Sequence, residues 1–247
     1  MAVLLTRPGG HNAGLAALLE ARGCRVEERP LIEIEPLAFD ESSKRVVMDL
    51  DRFDDVVFVS GNAARIALPV LERYWPQWPV GLRWFAVGAG TAAWLEDIDM
   101  PVTYPKHGAS RGLLDMEALA SVAGRRVLIV RGRGGRELLA DTLRDRGAEV
   151  TYLEVYERKG IDYGPGFADE MERLDIECAV ITSGESLAHF ARLVPPGAHA
   201  PSLAVPSERI RDMAIALGFA KVAVVEDMSD ESIAGCVFDL ISGERSG

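Results

Sequence analysis

Along this chain, short apolar runs alternate with segments whose apolar positions recur at helical spacing. Val3–Thr6, Val56–Val59 and Trp84–Val87 are rich in Val, Leu and aromatic residues and show no polar alternation. Strands buried on both faces of a parallel sheet have that composition. Arg25–Arg29 and Val102–Tyr104 are weaker strand candidates. Between these runs, Ala13–Arg22, Asn62–Arg73 and Thr91–Asp97 place apolar residues three and four apart, the period of an amphipathic helix. Gly23 and Gly147 fall where helices are expected to stop, at the position that favours a left-handed residue. Strands alternating with helices predict parallel sheets covered on both faces.

The pattern occurs twice. Laid over Val127–Val150 without gaps, Val3–Val26 matches at Val3, Leu4, Arg7, Gly10, Leu15, Ala16, Leu19, Arg22, Gly23 and Val26. Val57-Phe58-Val59-Ser60-Gly61 likewise parallels Val180-Ile181-Thr182-Ser183-Gly184, and Phe85–Gly88 parallels Leu203–Pro206. Self-similarity at a near-constant offset indicates a duplicated half, and hence two similar α/β units. Arg25–Leu37 and Glu149–Arg158 occupy equivalent places in the halves and mix apolar with polar residues. They are expected to be half-exposed strands that pair with each other and connect the domains.

Composition narrows the class. The 247 residues, 48% of them hydrophobic and 26% charged, suit one large or two compact globular domains. With 27 basic and 38 acidic residues the formal charge is −11, against a nucleic-acid partner. Cys24, Cys178 and Cys236 are scattered and share no CxxC spacing, which points to a reducing compartment. Cys178 and Cys236, in apolar stretches, are expected to be buried packing. The opening MAVLLTRPGG is too short an apolar run for a signal peptide, and no window resembles a membrane span. A cytoplasmic location is the expectation.

Candidate chemistry is sparse. His11, His107, His189 and His199 lack metal-ligand spacing and read as surface or loop residues. Ser60 and Ser183 lack the glycines of a nucleophile elbow. Asp49-Leu50-Asp51 and Asp54-Asp55 read as a solvated charged connection. Arg131-Gly132-Arg133-Gly134-Gly135-Arg136 follows the strand Val127–Val130 and opens a helix. Glu137 stands where a dinucleotide fingerprint needs its third glycine, and no Lys-Ser/Thr completes a P-loop. Five arginines between Arg125 and Arg136, with no acid among them, nevertheless suit an anion. Ser60-Gly61-Asn62, Gly88 to Thr91, Thr182-Ser183-Gly184 and Pro206-Ser207 end strands with small polar residues. Helix capping accounts for each alone; as a set they would line the C-terminal sheet edges where open α/β sheets bind ligands. Tyr152 and Tyr156, four apart on a strand, are expected on one face, where a tyrosine could pass a proton or simply pack.

These residues also carry a resemblance. Leu4-Leu5-Thr6-Arg7-Pro8, Arg22-Gly23 and Pro30-Leu31-Ile32-Glu33-Ile34 resemble the opening of bacterial uroporphyrinogen-III synthases. Phe58–Ala63, Ala86-Val87-Gly88 with Thr91-Ala92, Arg131–Leu139, Val155–Arg158, Ile181–Gly184 and Ser207–Ile210 follow in that family's order. The resemblance implies a cofactor-free lyase that cyclises the linear tetrapyrrole hydroxymethylbilane to uroporphyrinogen III, losing water and inverting the last pyrrole ring. It implies two doubly wound, flavodoxin-like parallel-sheet domains joined by a two-stranded β-ladder, with the active site in the interdomain cleft. The first domain would be discontinuous, 1–34 plus 158–247, and the second 35–157.

By the same resemblance Tyr156 is the catalytic candidate. Arg7, Ser60, Gly61, Asn62, Gly88, Thr91, Arg131, Gly132, Ser183, Gly184 and Ser207 are the substrate-binding candidates. At Ser207-Glu208-Arg209 some relatives have a Gly-x-Thr-like turn, so no role transfers there. The expected partner is the small-molecule substrate alone, bound by a monomer without metal, nucleic acid or membrane. A binding or sensor protein for a small anion, without catalysis, is the alternative, and a nucleotide-dependent enzyme using Arg131–Arg136 is a weaker one.

Overall fold

A computed structural model describes residues 1–8, 12–95, 101–106, 109–197 and 200–243. They form two compact units, Met1–Glu33 with the chain from Lys159 onward, and Ile34–Arg158. The strands are β1 (Ala2–Leu5), β2 (Arg25–Glu28), β3 (Ile32–Pro36), β4 (Asp55–Phe58), β5 (Arg83–Ala86) and β6 (Val102–Thr103). They continue with β7 (Arg126–Gly132), β8 (Glu149–Gly160), β9 (Ile176–Val180), β10 (Ser202–Val205) and β11 (Val222–Val224). No helix among the described residues is long and apolar enough to cross a membrane.

The first sheet has the order β11-β10-β9-β1-β2 and is parallel throughout. The second runs β3-β8-β7-β4-β5-β6, parallel from β8 to β6. The repeat seen in the sequence makes β1 equivalent to β7, β2 to β8, β4 to β9 and β5 to β10, and β6 and β11 take the same place beside β5 and β10. In those terms both sheets read second, first, third, fourth, fifth, the flavodoxin-like order, with the first two strands exchanged between the halves.

Each sheet buries both faces. In the first unit Leu4, Ala179 and Leu203 pack with Phe167, Phe190 and Ile210 of helices Phe167–Arg173, Gly184–Leu193 and Glu208–Leu217. Val3, Leu5, Cys178 and Val180 pack with helices Ala13–Glu20 and Asp230–Ser242. In the second unit Val56, Phe58, Leu128 and Val130 meet helix Gly61–Tyr74, while Val57, Phe85 and Ile129 meet helix Leu138–Asp145. Continuous apolar runs therefore form the central strands, each fully buried side chain contributing roughly 1.5–3 kcal/mol.

Four expectations need correction. Arg25–Leu37 is two strands, not one, because Pro30 interrupts it, lacking an N–H and fixing φ. Only the second piece, β3, pairs with β8, and antiparallel: Leu37 N–H donates to Val155 O and Ile161 N–H to Leu31 O, both at 3.0 Å. Tyr152 and Tyr156 do not share a core cluster. Arg131 aligns with Glu154 but Gly132 with Tyr156, and this bulge offsets the alternation by one residue. Tyr152 packs with Ile129 and Leu139, whereas Tyr156 joins Phe58 and Val155.

The segment 49–55 is solvated only in part: Asp51 and Arg52 are exposed, but Leu50 is buried and Asp55 wholly so. Arg83 reaches Asp55 at 2.6 Å and Arg125 at 2.9 Å. Burial opposes ionisation of Asp55, but hydrogen bonds from Arg83 and Arg125 outweigh it and hold the carboxyl below the usual carboxylate range. Finally, His189 is buried on helix Gly184–Leu193, its Nε2 2.8 Å from Ile161 O and its Nδ1 3.0 Å from Arg192 Nη2. A residue read as surface or loop is thus wedged in the first unit. His11, His107 and His199 lie outside the described residues, as do the last two positions of the expected helix Thr91–Asp97.

Candidate active site

In a doubly wound sheet the crevice opens at the carboxyl ends of the strands flanking the point where strand order reverses. In the first unit those strands are β1 and β9, and in the second they are β7 and β4. Arg7 and Ser183 follow the first pair; Arg131 is the next-to-last residue of β7 and Ser60 follows β4. The repeat therefore sets an arginine and a serine at each switch point.

At the first, the polar groups bond within the unit. Thr6 Oγ1 donates to Val180 O at 2.5 Å, and Arg7 reaches Asp230 Oδ1 at 2.8 Å and Met228 O at 3.3 Å. Ser183 Oγ accepts from Ser186 N–H at 3.0 Å while Ser186 Oγ accepts from Ser183 N–H, a reciprocal cap of helix Gly184–Leu193. Gly184 lies under Ile210 and Met213.

At the second, a cavity of about 270 Å³ is lined by Ser60, Arg131, Gly132, Arg136, Tyr156 and Arg158 among others. Ser60 caps helix Gly61–Tyr74 by accepting from Ala63 N–H at 3.1 Å, and its Oγ lies 3.1 Å from Tyr156 Oη. Arg158 Nη1 donates to the same Tyr156 oxygen at 3.5 Å. Tyr156 itself is 3% exposed. A Cβ on Gly132 would stand 2.5 Å from Tyr156 Cε2 and Cζ, so only glycine admits the ring there.

Behind the cavity, Arg131 is 4% exposed. Its Nε donates to Gly132 O at 3.2 Å and its Nη1 to Glu137 Oε1 at 2.9 Å, while Nη2 has no partner among the described residues. The guanidinium stacks on Tyr152 with 4.6 Å to the ring centre, and Tyr152 Oη donates to Glu137 Oε2. That bond, with the one from Arg131, holds the Glu137 carboxyl below its ordinary range; burial, then the same bond, pushes the Tyr152 hydroxyl up. The turn does not open the helix directly as expected. β7 continues to Gly132, and the helix starts only at Leu138, because Gly134 turns left-handed at φ +70°.

The other candidates also lie at C-terminal strand ends. Gly61 and Asn62 begin the helix after β4; Gly61 faces Trp94, whose Nε1 a Cβ would meet at 3.0 Å. Gly88 precedes the short helix Ala89–Ala92, in which Thr91 is buried and donates its N–H to Gly88 O at 3.0 Å. Ser207 precedes helix Glu208–Leu217 without a side-chain cap bond. The structure thus brings Ser60, Arg131, Gly132 and Tyr156 to one cavity, and Arg7, Ser183 and Gly184 to the switch point of the other unit.

Sequence reasoning missed Arg158 and Glu137 as site residues. Arg158 had a signal, since it stands two residues from Tyr156 on the same strand. Glu137 was read only as the residue that breaks a fingerprint. The three thiols gather in one core cluster, where burial pushes Cys178 up and Cys236 to about 11, so none is a ready nucleophile. No group of described His, Cys, Asp or Glu residues is arranged to hold a metal ion. A cavity of about 350 Å³ in the first unit, beside the amino ends of β9 and β10, includes Glu172 and Asp175 and no basic residue among the described ones. Its charge is wrong for an anion.

Comparison with known proteins points to one family. The family model described as uroporphyrinogen-III synthase HemD matches residues 13–235. The uroporphyrinogen-III synthase of Salmonella typhimurium is 33% identical over 94% of this chain and 98% of its own length. That of Escherichia coli (strain K12) is 32% identical over the same shares of 94% and 98%. Among solved structures, a mutant uroporphyrinogen III synthase from the extremely thermophilic bacterium Thermus thermophilus matches with a TM-score of 0.67 at 16% identity, covering 99% of this chain and 100% of that one. The Helicobacter pylori 26695 uroporphyrinogen-III synthetase gives a TM-score of 0.62 at 15% identity, over 97% and 99%. At those identities the two structures speak for the fold.

Proposed function

The chain belongs to the uroporphyrinogen-III synthase family, and from that premise we propose that it cyclises hydroxymethylbilane to uroporphyrinogen III with loss of water and inversion of the last pyrrole ring. The observation that carries the local chemistry is the Tyr156 hydroxyl, set at a switch-point cavity within reach of Ser60 and Arg158. Ser60 Oγ already accepts from Ala63 N–H, so its own proton is available to the Tyr156 oxygen. With Ser60 and Arg158 both donating to that oxygen, the phenolic proton is left for a third partner.

On this reading the partner is the hydroxyl of the terminal hydroxymethyl group. The pyrrole pushes electrons toward the C–O bond as it breaks, and Tyr156 donates to the departing hydroxide, which leaves as water. The substituted α-carbon of the last ring then attacks the carbon that lost the hydroxide, and its older bond to the neighbouring bridge carbon breaks. That bridge carbon re-bonds at the ring's free α-carbon, which gives up its proton, so the ring is inverted as the macrocycle closes. The pyrrole supplies the electrons, so the protein's task is largely to hold the reacting carbons together. Arg7, Gly61, Asn62, Gly88, Thr91, Ser183, Gly184 and Ser207 are proposed to bind the rest of the substrate from the strand ends of the two units. Amides and a few arginines serve a polycarboxylate in an acidic chain without requiring a basic surface. We place the reaction in the cytoplasm, in a monomer without cofactor or nucleic acid; the charge of −11 is unfavourable to a phosphate backbone.

The test is incubation of the purified chain with hydroxymethylbilane and separation of the isomers. Uroporphyrinogen III is the expected product, whereas the type I isomer alone, which forms by unassisted closure, would end this reading. Tyr156→Phe should lower turnover roughly 10²–10⁴-fold; full turnover by that variant would remove the tyrosine from the chemistry.

A further inference from the structure

The cavity of the second unit is opposite in sign to the protein that contains it. Arg131, Arg136 and Arg158 line it and no described acidic side chain does, in a chain of formal charge −11. The three arginines are not equivalent. Arg131 is buried against Tyr152 and tied to Glu137, and Arg158 lies beside the Tyr156 hydroxyl. Arg136 is exposed and has no hydrogen bond or ion pair among the described residues.

Its neighbour on the same turn gives the contrast. Arg133 is also exposed but is committed to Glu157 at 3.3 Å and Glu154 at 3.6 Å, and it does not line the cavity. One turn therefore presents two arginines of equal charge, one occupied and one held over the cavity. A guanidinium there offers a planar pair of donors matched to a carboxylate.

The dimensions say how much of a substrate enters. About 270 Å³ lies just below the 300–1,000 Å³ typical of small-molecule pockets, too little for four linked pyrroles and suited to one ring with its side chains. Because Tyr156 lines the same space, and on the cyclisation reading meets the departing hydroxyl, the ring lodged there is the one bearing the hydroxymethyl group. We propose that Arg136 recognises a carboxylate arm of this hydroxymethyl-bearing ring and so selects that ring for the second unit. This rests on the cyclisation reading and adds to it which ring the second unit takes and which side chain selects it.

The experiment compares Arg136→Gln, Arg136→Lys and Arg133→Gln in the full chain, with hydroxymethylbilane and with a bilane whose terminal ring carries alkyl groups in place of its carboxylate arms. Loss of one charge-assisted contact should raise KM for the natural substrate at least about tenfold in Arg136→Gln, with kcat changed far less. Lysine, a point charge without the fork, should restore part of it. Arg133→Gln, which removes the same charge from the same turn, should stay within about twofold, and the Arg136→Gln penalty should vanish with the alkylated bilane. Equal KM values for Arg136→Gln and the wild type would overturn the assignment. So would an equal rise in Arg133→Gln, which would mark general attraction, or a penalty that persists with the alkylated bilane. Failure of the wild-type chain to make the type III isomer would instead overturn the cyclisation reading, and the assignment with it.

Discussion

The two switch points have the same topology and different chemistry. Arg7 and Ser183 in the first unit correspond through the repeat to Arg131 and Ser60 in the second. Arg7 reaches Asp230 and a main-chain carbonyl, and Ser183 completes a reciprocal cap with Ser186. Arg131 is held by Glu137 and Tyr152 with one donor left over, and Ser60 shares its hydroxyl with Tyr156 beside a cavity. A duplicated fold thus supplies two equivalent strand edges, and the side chains around them decide how the arginine and the serine at each are engaged. Fold alone does not assign the role.

The comparison extends to the amino ends of the strands, where the largest effect is expected. Asp55, buried between Arg83 and Arg125, corresponds in the first unit to Cys178, which is buried and uncharged. Asp55→Asn should destabilise the second unit by roughly 3–5 kcal/mol, since it leaves two arginines facing a neutral group. The folded-state pKa of Asp55 is depressed, so its stabilisation is present above about pH 4 and is lost as pH falls below that value. Trp75, Trp78, Trp84 and Trp94 all lie in the second unit, so tryptophan emission reports on it alone while circular dichroism reports on both. In acid the emission change should come first. Coincident transitions would show that Asp55 does not set the difference.

The glycines give the next effect. Gly132→Ala drives a Cβ into the Tyr156 ring and should lower turnover about 10²-fold through misplacement of that hydroxyl. Gly184→Ala meets only the ends of Ile210 and Met213, at 3.2 Å and beyond, and should affect turnover much less. Equal losses would mean that the two switch points contribute alike.

The smallest effect sharpens the picture of Arg131. Glu137→Gln keeps the shape of the brace but removes its charge, and should raise KM a few-fold with little change in kcat. A fall in kcat alone, with KM unmoved, would place Glu137 in the chemistry rather than behind Arg131.

Much of the fold was legible. The runs Val3–Thr6, Val56–Val59 and Trp84–Val87 are strands to within one residue at each end, because full burial leaves an apolar run that no other element produces at that length. Ser60 and Ser183 cap their helices as their positions suggested, whereas Ser207 makes no side-chain cap bond. Pairing was less legible: Pro30 divides Arg25–Leu37, and each piece joins a different sheet. The bulge that parts Tyr152 from Tyr156 left no mark in a period-two reading, because it depends on the partner strand. Asp55 read as solvated because Arg83 and Arg125 stand 28 and 70 positions away along the chain.

Residue order settled several local features: that Val3–Thr6, Val56–Val59 and Trp84–Val87 are strands, that Ser60 and Ser183 cap helices, and that the pattern occurs twice. Those follow from side-chain periodicity and short-range hydrogen bonding, which neighbouring residues decide among themselves. Long-range packing was needed to leave Arg136 over a cavity without a partner among the described residues while Arg133 is occupied, and to bring Tyr156 rather than Tyr152 to Ser60. Partners distant along the chain are brought together by closure of the core, and the chemistry of this protein is written in those meetings.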